Sequence, residues 1–198
     1  MKKLIVATSN AGKLAEMQTY LAGYDCQLAL KPPELEIEEN GTTFLENARL
    51  KASQVALALG EWAIADDSGL AVEALEGAPG LHSARYGPND AQRIARLLEN
   101  LADNPHRQAQ FICALALARP DGSIAAEAEG NCAGLILQEP RGVGGFGYDP
   151  IFYVPQWQQS FAEMDKQLKN KISHRGRAFA LLLTRWPAEL GRRNPPPQ

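Results

Sequence analysis

Apolar residues open the chain as a short run, Leu4-Ile5-Val6-Ala7, and recur after a polar loop at Leu14, Met17 and Leu21. The run suits a buried strand and the later spacing suits one face of a helix, so the expected opening is strand, loop, helix. A proline-containing, acidic connection, Lys31–Asn40, comes next. Thr43 and Glu46 then have the spacing of a capping box before a helix rich in Ala and Leu, from about Phe44 to Leu59. Trp62 to Ala65 reads as a buried strand ending at Asp66-Asp67-Ser68-Gly69, with Leu70 to Leu75 as another strand or its extension.

Gly77-Ala78-Pro79-Gly80 is a turn, and Asn89, with Gln92 three residues on, is placed to cap a helix reaching about Leu101. Phe111 to Ala118 is apolar on both alternating faces, as in an interior strand, and Pro120-Asp121-Gly122 can turn it into a partner beginning near Ile124. In that partner Glu127 and Glu129 alternate with Ala126 and Ala128, and Ala133 to Leu137 reads as one more strand. Gly142 to Pro150 is a glycine-dense loop, and a helix after Ser173 closes the body before Pro187. The mixture predicts one α/β domain over residues 1–190, with 191–198 as a flexible tail.

The composition agrees with a globular body: 198 residues, 45% hydrophobic and 22% charged. A formal net charge of −3 supplies no general attraction to a polyanion, which argues against polymeric nucleic acid or a membrane surface as partner. Three cysteines, Cys26, Cys113 and Cys132, lack the close pairing of a zinc site and are expected as buried thiols. The opening apolar run is too short for a signal peptide, and a cytoplasmic location is expected.

The first loop, Thr8-Ser9-Asn10-Ala11-Gly12-Lys13, follows a strand and opens a helix, where free N–H groups and the dipole favour phosphate. It is not a Walker A loop, since the glycine pattern differs and Leu14 follows the lysine. On its own it reads sooner as a capped helix with a surface lysine than as a phosphate loop. Asp66-Asp67 sets two carboxylates side by side, a donor type suited to Mg²⁺, although Asp, Ser and Gly also make ordinary turns. Among Glu36, Glu38, Glu39 and Glu46, Glu46 is explained as a capping partner, leaving Glu39 as the preferred second ligand.

Gly144-Gly145-Phe146-Gly147-Tyr148-Asp149-Pro150 offers flexible backbone and aromatic rings, as a pocket for a flat base needs, with Phe146 as the stacking ring. Ser173 is placed to cap the last helix. Lys169, Lys171, His174 and Arg175 put positive charge at its entry, an arrangement that invites an anion or marks a solvated basic edge. Arg85 is a secondary candidate, and His82 and His106 lack the partners of a nucleophilic triad.

Taken in order, TSNAGK at 8–13, ENGTTFLENA at 39–48, DDSGL at 66–70, PGLHSAR at 79–85, FGYDP at 146–150 and KNKISHR at 169–175 resemble the inosine and xanthosine triphosphate pyrophosphatases. The resemblance implies an elongated mixed β-sheet structure with flanking helices, two lobes around a central active-site cleft, and a homodimer. It implies hydrolysis of the deaminated purine nucleotides ITP, dITP and XTP to monophosphate and pyrophosphate, with Mg²⁺ as cofactor. By the same resemblance Asp67 is the catalytic base, and Glu39 and Asp67 are the metal-associated acids. Thr8, Ser9, Asn10, Ala11, Gly12 and Lys13 bind phosphate. Ser68, Phe146, Gly147, Tyr148, Asp149, Lys169, His174 and Arg175 complete the substrate contacts, while Lys171 falls at a variable position. Two departures are Ser9, where glycine is frequent, and His82, where an apolar residue is frequent. The alternatives are a pyrophosphatase for other modified nucleotides and a nucleotide-binding regulatory module without catalysis.

Overall fold

A computed structural model of the chain describes residues 2–192. The strands are β1 (Lys2–Val6), β2 (Cys26–Leu30), β3 (Trp62–Val72), β4 (Gln108–Ala118), β5 (Ile124–Ile136), β6 (Phe152–Val154) and β7 (Gln159–Ser160). The helices are α1 (Ala11–Tyr20), α2 (Phe44–Leu59), α3 (Asp90–Leu101), α4 (Lys166–Ile172) and α5 (His174–Thr184). The strands form one mixed sheet in the order β2-β1-β3-β4-β5-β6-β7. β1 runs parallel to both β2 and β3, which requires the crossovers that α1 and α2 supply, whereas β6 is antiparallel to β5 and to β7. The chain is α/β, as expected.

Several boundaries differ from the sequence reading. Asp66 and Asp67 do not end a strand: β3 continues through them to Val72, so of the two readings of Leu70 to Leu75 the extension is the one found, though it stops at Val72. Turn-forming residue types are overruled here because apolar runs on both sides extend the same strand. Likewise β5 is a single strand through Gly130, which does not adopt the positive φ that would let glycine turn the chain. β6 and β7 are too short and α4 too polar to register in the hydrophobic pattern, and β2, as long as β1, is a strand the sequence reading leaves out. A short helical turn, Ala188–Leu190, carries the body past Pro187, with Leu190 buried. Of the tail expected over 191–198, Arg192 forms a β-bridge to Tyr24, and 193–198 lie outside the described residues.

The chain divides into two compact units, residues 2–67, 114–129 and 178–192 in the first, Ser68–Cys113 and Gly130–Arg177 in the second. The first unit's core is rich in alanine: Ala48, Ala52 and Ala56 of α2 pack with Ala63 and Ala65 of β3 and with Ala114, Ala116 and Ala118 of β4. Small side chains on both surfaces let helix and sheet backbones approach closely. The second unit's core is built from larger groups, among them Leu70, Leu97, Phe111, Phe152 and Phe161. The three cysteines are free and buried. No described helix is long and apolar enough to cross a membrane.

Candidate active site

In the first unit, β1 delivers the chain to the loop that opens α1. Asn10 caps that helix, its side-chain oxygen accepting from the amides of Gly12 at 2.9 Å and Lys13 at 3.1 Å, while the Asn10 amide donates to Thr8 Oγ1. The capped helix start of the sequence reading is present, but Lys13 is not the solvated surface lysine that reading supposed. Its ammonium pairs with the fully buried carboxylate of Asp66.

Successive side chains of a strand point to opposite faces, so Asp66 and Asp67 part company. Asp66 is buried, and Asp67 is half-buried with its Oδ1 2.7 Å from Lys51 Nζ. The same ammonium lies 3.7 Å from Glu39 Oε2. Burial pushes the Asp67 carboxyl above the ordinary carboxylate range, against the pull of the Lys51 and Lys13 charges, and the Glu39 carboxylate adds to the rise.

Lys51 was not singled out in the sequence, yet a signal for it exists. Ala48, Lys51, Ala52 and Val55 follow the i, i+3, i+4, i+7 spacing of α2's buried face, so a lysine occupies a core position. A charge at such a place requires a partner, and Asp67 supplies it.

The loop carrying Glu39 is fastened to α2 on both sides of that residue. Gln54 makes paired bonds with the Glu38 backbone, accepting from its amide and donating to its carbonyl, each at 3.0 Å. The Gly41 amide donates to Asn47 Oδ1 at 2.8 Å, an approach so close that a Cβ on Gly41 would meet that oxygen. Thr43 accepts from the Glu46 amide as the helix cap, and Glu46 in turn accepts from the amide and hydroxyl of Thr42. Glu46 is thus the capping partner that its spacing indicated. Glu39 is left to face Lys51.

The second unit gathers the other set. Ser68, next along β3 from Asp67, accepts from Arg175 Nη2 at 3.0 Å. Lys169 Nζ lies 2.7 Å from Asp149 Oδ2 and 4.8 Å from the centre of the Phe146 ring, and the Arg175 guanidinium lies 5.8 Å from that ring. His174 stacks on Phe111 with ring centres 4.6 Å apart. Lys169, His174 and Arg175 are all buried, so the basic helix entry is not a solvated edge. Ser173 caps α5, accepting from the Gly176 amide. Tyr148 is buried, with its hydroxyl donating to the Ser83 carbonyl at 2.9 Å. Arg85 and Lys171 are exposed.

Among the described residues no group of three or more His, Cys, Asp or Glu side chains comes together as a metal-ligating cluster. The acids of the first unit are interleaved with lysines: Lys13 with Asp66, and Lys51 with Asp67 and Glu39.

The Ham1 family model matches residues 4–185. A dITP/XTP pyrophosphatase of Nostoc sp. is 64% identical over 96% of this chain and 96% of its own length, and one of Synechocystis sp. is 62% identical over 94% and 96%. A solved HAM1 protein structure from Coxiella burnetii superposes with a TM-score of 0.84 at 44% identity, covering 93% of this chain and 98% of that one.

Proposed function

Because the chain belongs to the Ham1 family, we propose that it hydrolyses the deaminated purine nucleotides ITP, dITP and XTP to the monophosphate and pyrophosphate, removing them from the nucleotide pool. The observation that carries the chemistry is Asp67, a partly buried carboxylate whose proton affinity is raised by burial and held in check by Lys51 and Lys13. A carboxylate of raised proton affinity suits a general base better than an ordinary one.

Asp67 takes a proton from water as the water oxygen bonds to the α-phosphorus. The bond from that phosphorus to the α–β bridging oxygen breaks, and pyrophosphate leaves. Lys13 and Lys51 offset charge on the phosphate oxygens, since phosphoryl transfer depends chiefly on positioning and electrostatics. The Thr8–Lys13 loop contributes hydroxyls and backbone to the phosphates.

Glu39 and Asp67 would hold Mg²⁺. Both already offer carboxylate oxygens to one cation, the Lys51 ammonium, and oxygen donors are what Mg²⁺ takes. When bound, Mg²⁺ supplies further neutralisation of phosphate charge.

The Phe146 ring offers a stacking face for the base, and Lys169 and Arg175 are donors for a six-position carbonyl, with Ser68, Gly147, Tyr148, Asp149 and His174 completing the set. Adenine presents an amino group there, which leaves those donors unpaired. We further propose a cytoplasmic homodimer, for which light scattering on the purified protein is the check.

The test is a panel of nucleoside triphosphates with Mg²⁺, resolving pyrophosphate from orthophosphate. Turnover of ITP, dITP and XTP with release of pyrophosphate is expected. Orthophosphate release, preference for modified pyrimidines, or binding without turnover would each replace this reading.

A further inference from the structure

The loop Phe146–Asp149 is fastened at successive residues, and one fastening comes from outside every motif so far described. The Phe146 amide donates to Asp149 Oδ2 at 2.8 Å, and the Tyr148 hydroxyl donates to the Ser83 carbonyl. Between them the Gly147 amide donates to Asp90 Oδ2 at 2.8 Å, across 57 positions of sequence. We propose that Asp90 is a positioning residue for base selection, holding the Phe146–Gly147 peptide so that the Phe146 ring presents a fixed face to the purine. The proposal rests on the reading of Phe146 as the base-stacking ring.

Asp90 is not needed to start its helix. Asn89 already caps α3, accepting from the Gln92 amide at 3.0 Å. The other oxygen of Asp90, Oδ1, is held 2.7 Å from Arg93 Nη1, and Arg93 Nε is anchored on the Gly87 carbonyl at 3.0 Å. The carboxylate is therefore oriented from behind, with Oδ2 aimed at the loop.

The peptide it grips is pinned at both ends. Its N–H meets Asp90, and its carbonyl, that of Phe146, accepts from the Asp149 amide at 3.2 Å. The surrounding backbone has little stiffness of its own: Gly142, Gly145 and Gly147 adopt φ of 85°, 73° and 62°. Such a stretch is ordered by what holds it, since glycine is free to adopt either sign of φ. A charged acceptor on a backbone amide is among the stronger single restraints available. Without it the ring's backbone is free to rotate, and the ring no longer keeps its place over the Lys169 ammonium.

Steady-state kinetics with ITP and ATP on wild type, Asp90→Ala, Asp90→Asn and Asn89→Ala tests this. Asp90→Ala is expected to lower the preference for ITP over ATP about tenfold, chiefly through KM for ITP, with kcat within about twofold of wild type. Asp90→Asn keeps a carbonyl acceptor for Gly147 and is expected to recover most of the preference. Asn89→Ala removes a helix cap and is expected to lower the melting temperature while leaving the preference intact. If Asp90→Ala merely lowers the melting temperature, as Asn89→Ala does, or if Asp90→Asn fails to recover the preference, the positioning role is overturned. A wild-type enzyme with no preference for ITP would instead bring down the base-selection reading, and this role with it.

Discussion

At the scale of single residues the site turns on a lysine where helix periodicity calls for an apolar side chain. Lys51 lies on the buried face of α2, and its ammonium answers both Asp67 and Glu39. Asp67→Asn is expected to lower turnover by about two to four orders of magnitude, the range for loss of a positioned general base. The pKa of Asp67 is measurable in the metal-free protein by carboxyl carbon NMR. It should lie above the ordinary carboxylate range, because burial is the dominant influence. Lys51 favours the charged form, so Lys51→Met removes a downward pull and must raise the pKa further. A value that falls, or does not move, would show that Lys51 does not govern Asp67. Residue type made Asp67 and Glu39 legible as candidates, since carboxylates suit metal and proton chemistry. Lys51 was legible only through helical phase, because lysine judged by residue type alone reads as surface.

At the scale of elements, strongly periodic stretches were read closely. α2 begins and ends where its cap and its run of Ala and Leu place it, and α3 is capped by Asn89 as the spacing with Gln92 indicated. β3 was cut short because two aspartates resemble a turn; their ammonium partners, which let carboxylates sit within a strand, are distant in sequence. The glycine loop was legible as a loop, but not the different demands on its glycines. A Cβ on Gly147 would meet open space, whereas one on Gly145 would run into the Asp149 carboxylate. Both have positive φ, so either Ala variant bears a backbone cost of about 1–2 kcal/mol. Gly145→Ala must also displace the group that holds Lys169. It is therefore expected to raise KM for ITP more than Gly147→Ala does, and equal effects would deny Asp149 that role.

At the scale of the whole molecule, folding and chemistry draw on different interactions. Each unit has its own apolar core, one rich in alanine and one in larger side chains, and three free cysteines leave no disulfide among the described residues. Composition made a well-filled globular body legible, and two lobes entered only through the family resemblance; where the units divide was not legible, because β3, β4 and β5 each pass from one unit to the other in mid-strand. The proposed Mg²⁺ ligands are already compensated within the protein, Glu39 and Asp67 by the Lys51 ammonium, so the fold is not left with uncompensated carboxylates when metal is withdrawn. Chelation should therefore separate the two properties. With EDTA, turnover of ITP is expected to cease while the circular dichroism spectrum and melting temperature stay as they were. Excess Mg²⁺ should restore turnover without a refolding step. A melting temperature that collapses on chelation would mean that metal holds the fold, and Lys51 would then be no substitute for it; turnover that persists would remove the metal from the reaction.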